Sequence, residues 1–274
     1  MTRSTLQPSR TCWAAALGGC NKMSREHVVS QSVFADGCGC PLIIEGGHRV
    51  PSGPLAISSL AANILCRKHN SALSSLDAEA GRLAAALLAS ARGKEIGRPE
   101  LDGGLIERWV LKTLINGLVA GWSDQRKWIP HASIVQAIYG LAAIPHGCGL
   151  YSVDGDSSDL PNPQGAQIAP YWAKVSETEK HLVGGLVRIH GLRLFVATHD
   201  SIVPQIVGQP EAPPRVFENN EIRFVYRPAF ISVDSLASNK NGIILRWQPV
   251  NGYRGRERTQ STSPQSSLGK ETPS

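Results

Sequence analysis

Residues 11–70 limit most strongly what this chain can fold into. They show no long periodic helical pattern and are rich in Cys, His, Gly and Pro. Small modules of this composition often depend on a bound metal ion, because their hydrophobic cores are too small to fold unaided. Six cysteines in a chain without a recognisable secretory signal are interpreted as thiols or metal ligands rather than as a disulfide framework. The N-terminal region is therefore predicted to rely on a metal.

The composition favours a globular protein without membrane spans. The 274 residues are enough for two compact domains. Hydrophobic residues make up 42% of them and charged residues 18%, which allows an ordinary buried core. No apolar run is long enough to cross a bilayer, and the first residues contain no apolar segment followed by a cleavage site, so a cytoplasmic location is expected. The net charge of +6 weakly favours a polyanionic partner such as DNA or RNA.

The pattern along the chain predicts an α+β fold in three parts. Residues 1–92 form a small module with a following helix, residues 93–250 an α+β region of unknown function, and residues 251–274 a disordered tail that is almost free of apolar side chains. A short strand is expected at residues 41–45. The middle segment is helical and the C-terminal part is rich in strands.

Helices and strands are predicted from capping residues and from the spacing of apolar residues. Ser74-x-x-Asp77 resembles a capping box at the start of a helix, and Asp102 is a candidate N-cap for the next one. Helices are expected at residues 74–91, 104–119 and 132–142. Strands are expected at residues 181–198, as a hairpin around His190 and Gly191, and at residues 220–227 and 242–248.

Two short segments carry side chains suited to cleaving a phosphodiester bond. Glu26 and His27 lie in the first segment, and Asn70 ends the second, Asn63–Asn70. The reaction needs a base near neutral pH, for which histidine is suited, and a divalent cation that neutralises the charge on the phosphate. Mg²⁺ prefers oxygen ligands, which a carboxylate and a side-chain amide supply. His27 is thus the candidate base, with Glu26 and Asn70 as candidate ligands of Mg²⁺ or another divalent metal.

The order Glu26-His27 followed by Cys66-x-x-His69-Asn70 resembles the HNH endonucleases, over roughly residues 12–77. The resemblance implies a ββα-metal module with His27 as general base, and with Glu26 and Asn70 holding the catalytic metal. It also implies a structural zinc held by Cys12, Cys20, Cys66 and His69. Cys12 and Cys20 are separated by seven residues, more than the usual two to four, and Cys38 and Cys40 are alternative donors.

Several alternatives to these roles stay open. Asn70 is also a common helix cap, and Asp77 is better explained by the capping box than as another carboxylate of the site. Arg25, Arg67 and Lys68 flank the motifs and are either phosphate contacts or solvated surface residues. Ser30 and Ser32 are interpreted as surface serines and His48 as a solvated loop histidine. The other histidines show no ligand spacing and are interpreted as ordinary residues, namely His131, His146, His181, His190 and His199.

The favoured function is hydrolysis of double-stranded DNA by a metal-dependent endonuclease. One alternative is a zinc-stapled nucleic-acid-binding module without catalysis, in which Glu26, His27 and Asn70 do not form a site. A second is a protein-interaction scaffold that does not bind nucleic acid. The sequence does not distinguish DNA from RNA, nor nicking from double-strand cleavage.

Overall fold

The structure is a computed structural model, and it describes residues 11–34, 42–45, 53–55, 57–122, 128–145, 147–154, 165–174, 180–199, 223–233 and 242–248. Helices and strands are mixed along the chain, as the α+β prediction requires. The strands are β1 Met23–His27, β2 Leu42–Glu45, β3 Gly53–Leu55, β4 Ala61–Cys66, β5 Glu100–Asp102, β6 Gly149–Asp154, β7 Gly165–Lys174, β8 Lys180–Ile189, β9 Leu192–Ala197, β10 Arg223–Tyr226, β11 Phe230–Ser232 and β12 Gly242–Arg246. The α-helices are α1 Arg67–Ser71, α2 Ser74–Ala91, α3 Gly103–Val119 and α4 Ala132–Ile138.

Helix α3 lies at the centre of the packing. Its first turn is capped by Asp102, whose carboxylate accepts a hydrogen bond from the Leu105 amide at 3.0 Å. Its predicted apolar stripe is buried, with Ile106, Trp109 and Leu114 fully enclosed. The helix packs against α2 on one side and against β7, β8 and β9 on the other. The predicted helix and its N-cap are therefore confirmed.

The strands form three sheets. Seven strands make the largest, in the order β10-β6-β9-β8-β7-β2-β3, and β11-β12-β5 make a small one. Strands β8 and β9 form the predicted hairpin, with His190 and Gly191 both at positive φ (46° and 86°), as a tight two-residue turn requires. Strands β1 and β4 pair separately and antiparallel. Strand β2 joins the large sheet by parallel pairing with β7, which connects the N-terminal region to it.

One continuous core connects the N-terminal region to the later elements. It contains buried side chains from Cys12 through Trp109 to Leu245. Helix α3 supplies many of these side chains, so the N-terminal region shares its interior with this helix. The division into residues 1–92 and 93–250 stays a prediction, and residues 251–274 lie outside the described residues.

One predicted helix end and one predicted helix cap need correction. Helix α4 ends at Ile138 rather than at residue 142, and Gly140 follows with a φ of 69°, which a continuing α-helix does not allow. The capping box at Ser74 is wrong, because Leu73 is the N-cap of α2 and no side chain caps this end. Within the described ranges, no helix is both long and apolar enough to span a membrane.

Candidate functional site

Strands β1 and β4 and helix α1 bring the two sequence motifs together. Met23 lies opposite Cys66 and His27 lies opposite Ala61 in the antiparallel pair. Helix α1 begins directly after β4, which turns Asn70 back towards β1, where its Nδ2 donates to Ser24 Oγ at 3.4 Å. Residues that are more than forty positions apart in sequence thus become neighbours.

Four predicted metal ligands converge beside this pair of strands. The Sγ atoms of Cys12, Cys20 and Cys66 lie 3.3, 3.6 and 3.2 Å from Nδ1 of His69. All four donor atoms lie within 4.8 Å of one another. Typical Zn–S and Zn–N bond lengths in a tetrahedron place sulfur and nitrogen about 3.6 Å apart. The three cysteines and one histidine could therefore bind a metal ion, and their donor set fits zinc.

The long spacing between Cys12 and Cys20 is accommodated by the backbone of the intervening loop. A single 3-10 turn, Ala15–Leu17, is followed by Gly18 and Gly19 at φ values of 74° and 65°. Two consecutive left-handed residues reverse the chain at low cost only when they lack a Cβ. The loop thereby returns Cys20 to Cys12. Cys38 and Cys40, the alternative donors, lie outside the described residues.

The surroundings of the cluster also suit metal binding. Burial raises the pKa of the Cys12 thiol to about 12, so a neutral thiol is favoured there until a cation binds. Burial also opposes ionisation of Cys66, but backbone hydrogen bonds from His69 and Asn21 bring its pKa below the usual value. The His69 pKa is lowered by burial and by Lys68, which favours the neutral ring that metals bind. Tyr139 donates to the His69 carbonyl at 3.0 Å and packs edge-on against its ring.

The candidate catalytic residues line a single open cavity of about 300 Å³. Glu26 is buried, whereas His27 and Asn70 are half-buried. The Asn70 side chain acts as a hydrogen-bonding partner that opposes the rise in the pKa of the Glu26 carboxyl caused by burial. The cavity is lined by Glu26, His27, Ser30, Gln31, Ser32, Asn70, Ser71, Ser74 and Asp77.

The ammonium group of Lys112, which the sequence analysis does not identify, lies next to this site. Lys112 of α3 is fully buried, and its Nζ lies 2.6 Å from Glu26 Oε1 and 2.7 Å from Asp77 Oδ1. Burial raises the pKa of the Glu26 carboxyl, and Lys112 opposes that rise. Asp77 is therefore not a capping residue but a carboxylate of the cavity, which corrects the sequence interpretation. Helix α3, whose apolar stripe predicts only core packing, thus places a charge next to the site.

Ser30 and Ser32 also have specific partners. The Ser30 hydroxyl donates to Asp77 and accepts from Trp109 Nε1 at 2.9 Å, and Ser32 donates to the Asp77 carbonyl at 2.6 Å. The interpretation of these serines as surface residues without a role is therefore wrong. They anchor the start of α2 to the segment that follows His27.

His27 is held at the edge of the cavity with its ring in a suitable state for a base. Its pKa is lowered by burial first and then by the charges of Arg25 and Lys112, so the neutral imidazole predominates near pH 7. Its backbone carbonyl accepts a hydrogen bond from Asn116 Nδ2 at 3.3 Å. Asn116 also accepts from Trp13 Nε1 at 3.0 Å, and thus connects the segment of Cys12 to the strand of His27.

Replacing Asn116 with leucine is expected to destabilise the protein by about 2–3 kcal/mol, because the Trp13 indole N–H and the His27 carbonyl would lose a buried partner. Urea denaturation measures this loss. Thr113→Val is the matched control, because Thr113 is equally buried on α3 and its hydroxyl has no hydrogen-bond partner among the described residues. It should leave stability unchanged or increase it, and an equal loss in both variants would contradict the role of Asn116.

The remaining histidines contribute elsewhere or cannot be placed. His190 is buried and its Nε2 lies 2.9 Å from the Val33 carbonyl, so it links the β8–β9 turn to the segment after His27. His131 caps α4. His48 and His146 lie outside the described residues, while Arg25, Arg67 and Lys68 are exposed.

Comparison with family models, with curated proteins and with solved structures finds no match.

Proposed function

We propose that this protein is a metal-dependent endonuclease of the HNH type that hydrolyses phosphodiester bonds of DNA. The observation that carries the proposal is that Glu26, His27 and Asn70 line one open cavity beside the cluster of three cysteines and one histidine. An acid, a neutral imidazole and an amide at one cavity are the groups that this reaction needs. In this proposal the cluster holds zinc and stabilises the scaffold without taking part in the chemistry.

His27 acts as the general base. Its neutral ring takes a proton from a water molecule, and the hydroxide formed attacks the phosphorus. The bond from phosphorus to the leaving oxygen then breaks, and solvent water protonates that oxygen. Glu26 and Asn70 would hold a divalent cation, which supplies charge neutralisation at the phosphate when bound. The donor set fits a hard cation: Asn70 donates from Nδ2, so Oδ1 is the atom of this amide that a cation can bind, and Glu26 adds a carboxylate.

The charge distribution supports a nucleic acid as substrate. The chain carries a net charge of +6. Arg25, Arg67 and Lys68 are exposed on the elements that carry the cavity residues. Cationic side chains there would bind the phosphate backbone and orient it without reading the sequence. These charges fit a polyanionic substrate, and the resemblance to the HNH endonucleases makes double-stranded DNA the proposed one.

A plasmid assay tests the proposal. Zinc-loaded protein should convert supercoiled plasmid to nicked or linear forms in Mg²⁺ or Mn²⁺, and a chelator that removes the added metal should stop the reaction. Asn70→Ala should slow cleavage at least about tenfold, because one ligand of the cation is lost. Asn63→Ala is the matched control, since Asn63 is exposed on β4 and is not among the residues lining the cavity. Salt-sensitive DNA binding without any cleavage would contradict the proposal.

A non-catalytic nucleic-acid-binding module is the second candidate, and one observation favours it. Glu26 already forms an ion pair with Lys112, so its carboxylate has a cationic partner before any metal binds. In that case the same protein would bind DNA through its basic surface, and neither it nor the Asn70→Ala variant would cut. An interaction scaffold would show no salt-sensitive DNA binding at all.

A further inference from the structure

Lys112 is the most unusual charged residue next to the cavity. Its side chain is only 1% exposed, and its ammonium lies 2.6 Å from Glu26 Oε1 and 2.7 and 3.0 Å from the two carboxylate oxygens of Asp77. Burying an ammonium group costs several kcal/mol unless its charge is matched. The two carboxylates provide that match, so each of the three groups depends on the others for its position.

The ammonium lies behind the cavity wall rather than inside the cavity. Glu26 and Asp77 both line the cavity, whereas Lys112 does not and is enclosed by protein. A ligand in the cavity would therefore meet the carboxylates and not the ammonium. Apart from the through-space effect of its charge, Lys112 can therefore influence such a ligand only through the carboxylates that it holds.

Asp77, one of the two carboxylates that contact the ammonium, is itself held by a second hydrogen bond. Lys112 and Trp109 lie one turn apart on α3, and Trp109 Nε1 donates to Ser30 Oγ at 2.9 Å. Ser30 in turn donates to Asp77, so Asp77 is oriented by a serine as well as by the lysine. The chain of contacts Trp109–Ser30–Asp77–Lys112–Glu26 ties the cavity to the central helix.

We infer that Lys112 is a positioning residue, which holds Oε1 of Glu26 so that the other carboxylate oxygen is presented to a divalent cation in the cavity. The inference rests on the proposed function for the identity of that ligand, a divalent cation. Helix α3 lies outside residues 12–77, the segment that resembles the HNH endonucleases, and through Lys112 it becomes part of the site. A purely electrostatic effect has the opposite sign, because removing a buried positive charge would by itself strengthen cation binding.

Binding of Mn²⁺ to the full-length protein, followed by the electron paramagnetic resonance of free Mn²⁺, separates these effects. The cluster is kept loaded with zinc so that its thiolates do not take up Mn²⁺. Lys112→Met is expected to weaken Mn²⁺ binding at least about tenfold, as is typical when the partner of a metal-binding carboxylate is removed. A folded Lys112→Met variant that binds Mn²⁺ as tightly as wild type, or more tightly, overturns the inference, as does a wild-type protein that binds no Mn²⁺.

Glu107→Gln is the control for a merely structural effect. It breaks another buried ion pair of the same helix, in which Glu107 accepts two hydrogen bonds of 3.0 Å from Arg227. This variant should unfold at a lower temperature and yet bind Mn²⁺ within about twofold of wild type, since the pair is not part of the cavity lining. Equal weakening in Glu107→Gln and Lys112→Met would reduce Lys112 to a general stabiliser.

A second background covers the case in which Lys112→Met does not fold. Asp77→Asn removes one of the two carboxylates that need the ammonium, and Lys112→Met in this background should still weaken Mn²⁺ binding at least about tenfold relative to Asp77→Asn alone. The endonuclease proposal fails separately from the inference. Mn²⁺ binding with the expected dependence on Lys112, but without plasmid cleavage, contradicts only the proposed activity. Cleavage with Mn²⁺ affinity unaffected by Lys112→Met contradicts only the inference.

Discussion

Replacing His27 with alanine is expected to lower the rate of plasmid cleavage by about 10²–10⁴-fold, the usual contribution of a general base. The reason is that His27 lines the cavity beside Glu26 and Asn70, and its lowered pKa keeps the ring able to accept a proton near pH 7. The backbone of His27 is held by Asn116, so loss of the imidazole should leave strand β1 in place. The rate under single-turnover conditions is the measurement, because it isolates the chemical step from product release.

His181→Ala is the matched control for this prediction. His181 is exposed on β8 and is not among the residues lining the cavity, so its loss should leave the cleavage rate unchanged. Both variants should keep wild-type zinc content and bind uncleaved DNA with the salt dependence of wild type. A His27→Ala protein that cleaves within threefold of the wild-type rate would assign the activation of water to another group.

Local sequence signals predicted the elements whose structure depends on neighbouring residues. Helix α3 follows from its apolar spacing and from Asp102, and the β8–β9 hairpin follows from two strand-forming runs around His190 and Gly191. The cluster of Cys12, Cys20, Cys66 and His69 was predicted from the resemblance to the HNH endonucleases. Its wide first spacing is resolved by the two glycines of the intervening loop, which sequence spacing alone does not reveal.

The partners of the cavity residues were missed because they come from distant parts of the chain. Lys112 and Asn116 lie one turn apart on α3, among buried apolar residues, and both are fully buried. A lysine and an asparagine on the apolar face of a helix were the available signal, since such groups are buried only with specific partners. The local motif Ser74-x-x-Asp77 predicts a capping box, whereas the Asp77 carboxylate accepts a hydrogen bond from Lys112, thirty-five residues later.

If the cluster holds zinc as proposed, replacing Cys66 with serine is expected to abolish zinc binding and to lower the free energy of unfolding by at least about 4–5 kcal/mol, in the range seen when a structural metal is lost. The N-terminal region shares one core with α3, so the loss should affect the whole protein rather than a separate module. For a protein of this size the midpoint of thermal unfolding should fall by about 10–20 °C. Zinc content by atomic absorption and a thermal melt of the same sample are the measurements.

Cys148→Ala distinguishes loss of the metal from loss of a buried thiol. Cys148 is buried, as Cys66 is, and lies outside the cluster, so this variant should keep one zinc per chain and lose less stability than Cys66→Ser. A chelator strong enough to strip the zinc should lower the melting temperature of wild type and of Cys148→Ala alike, and leave that of Cys66→Ser unchanged. Equal zinc content in wild type and Cys66→Ser would show that the four donors do not form the metal site, because a serine hydroxyl does not replace a thiolate as a zinc ligand.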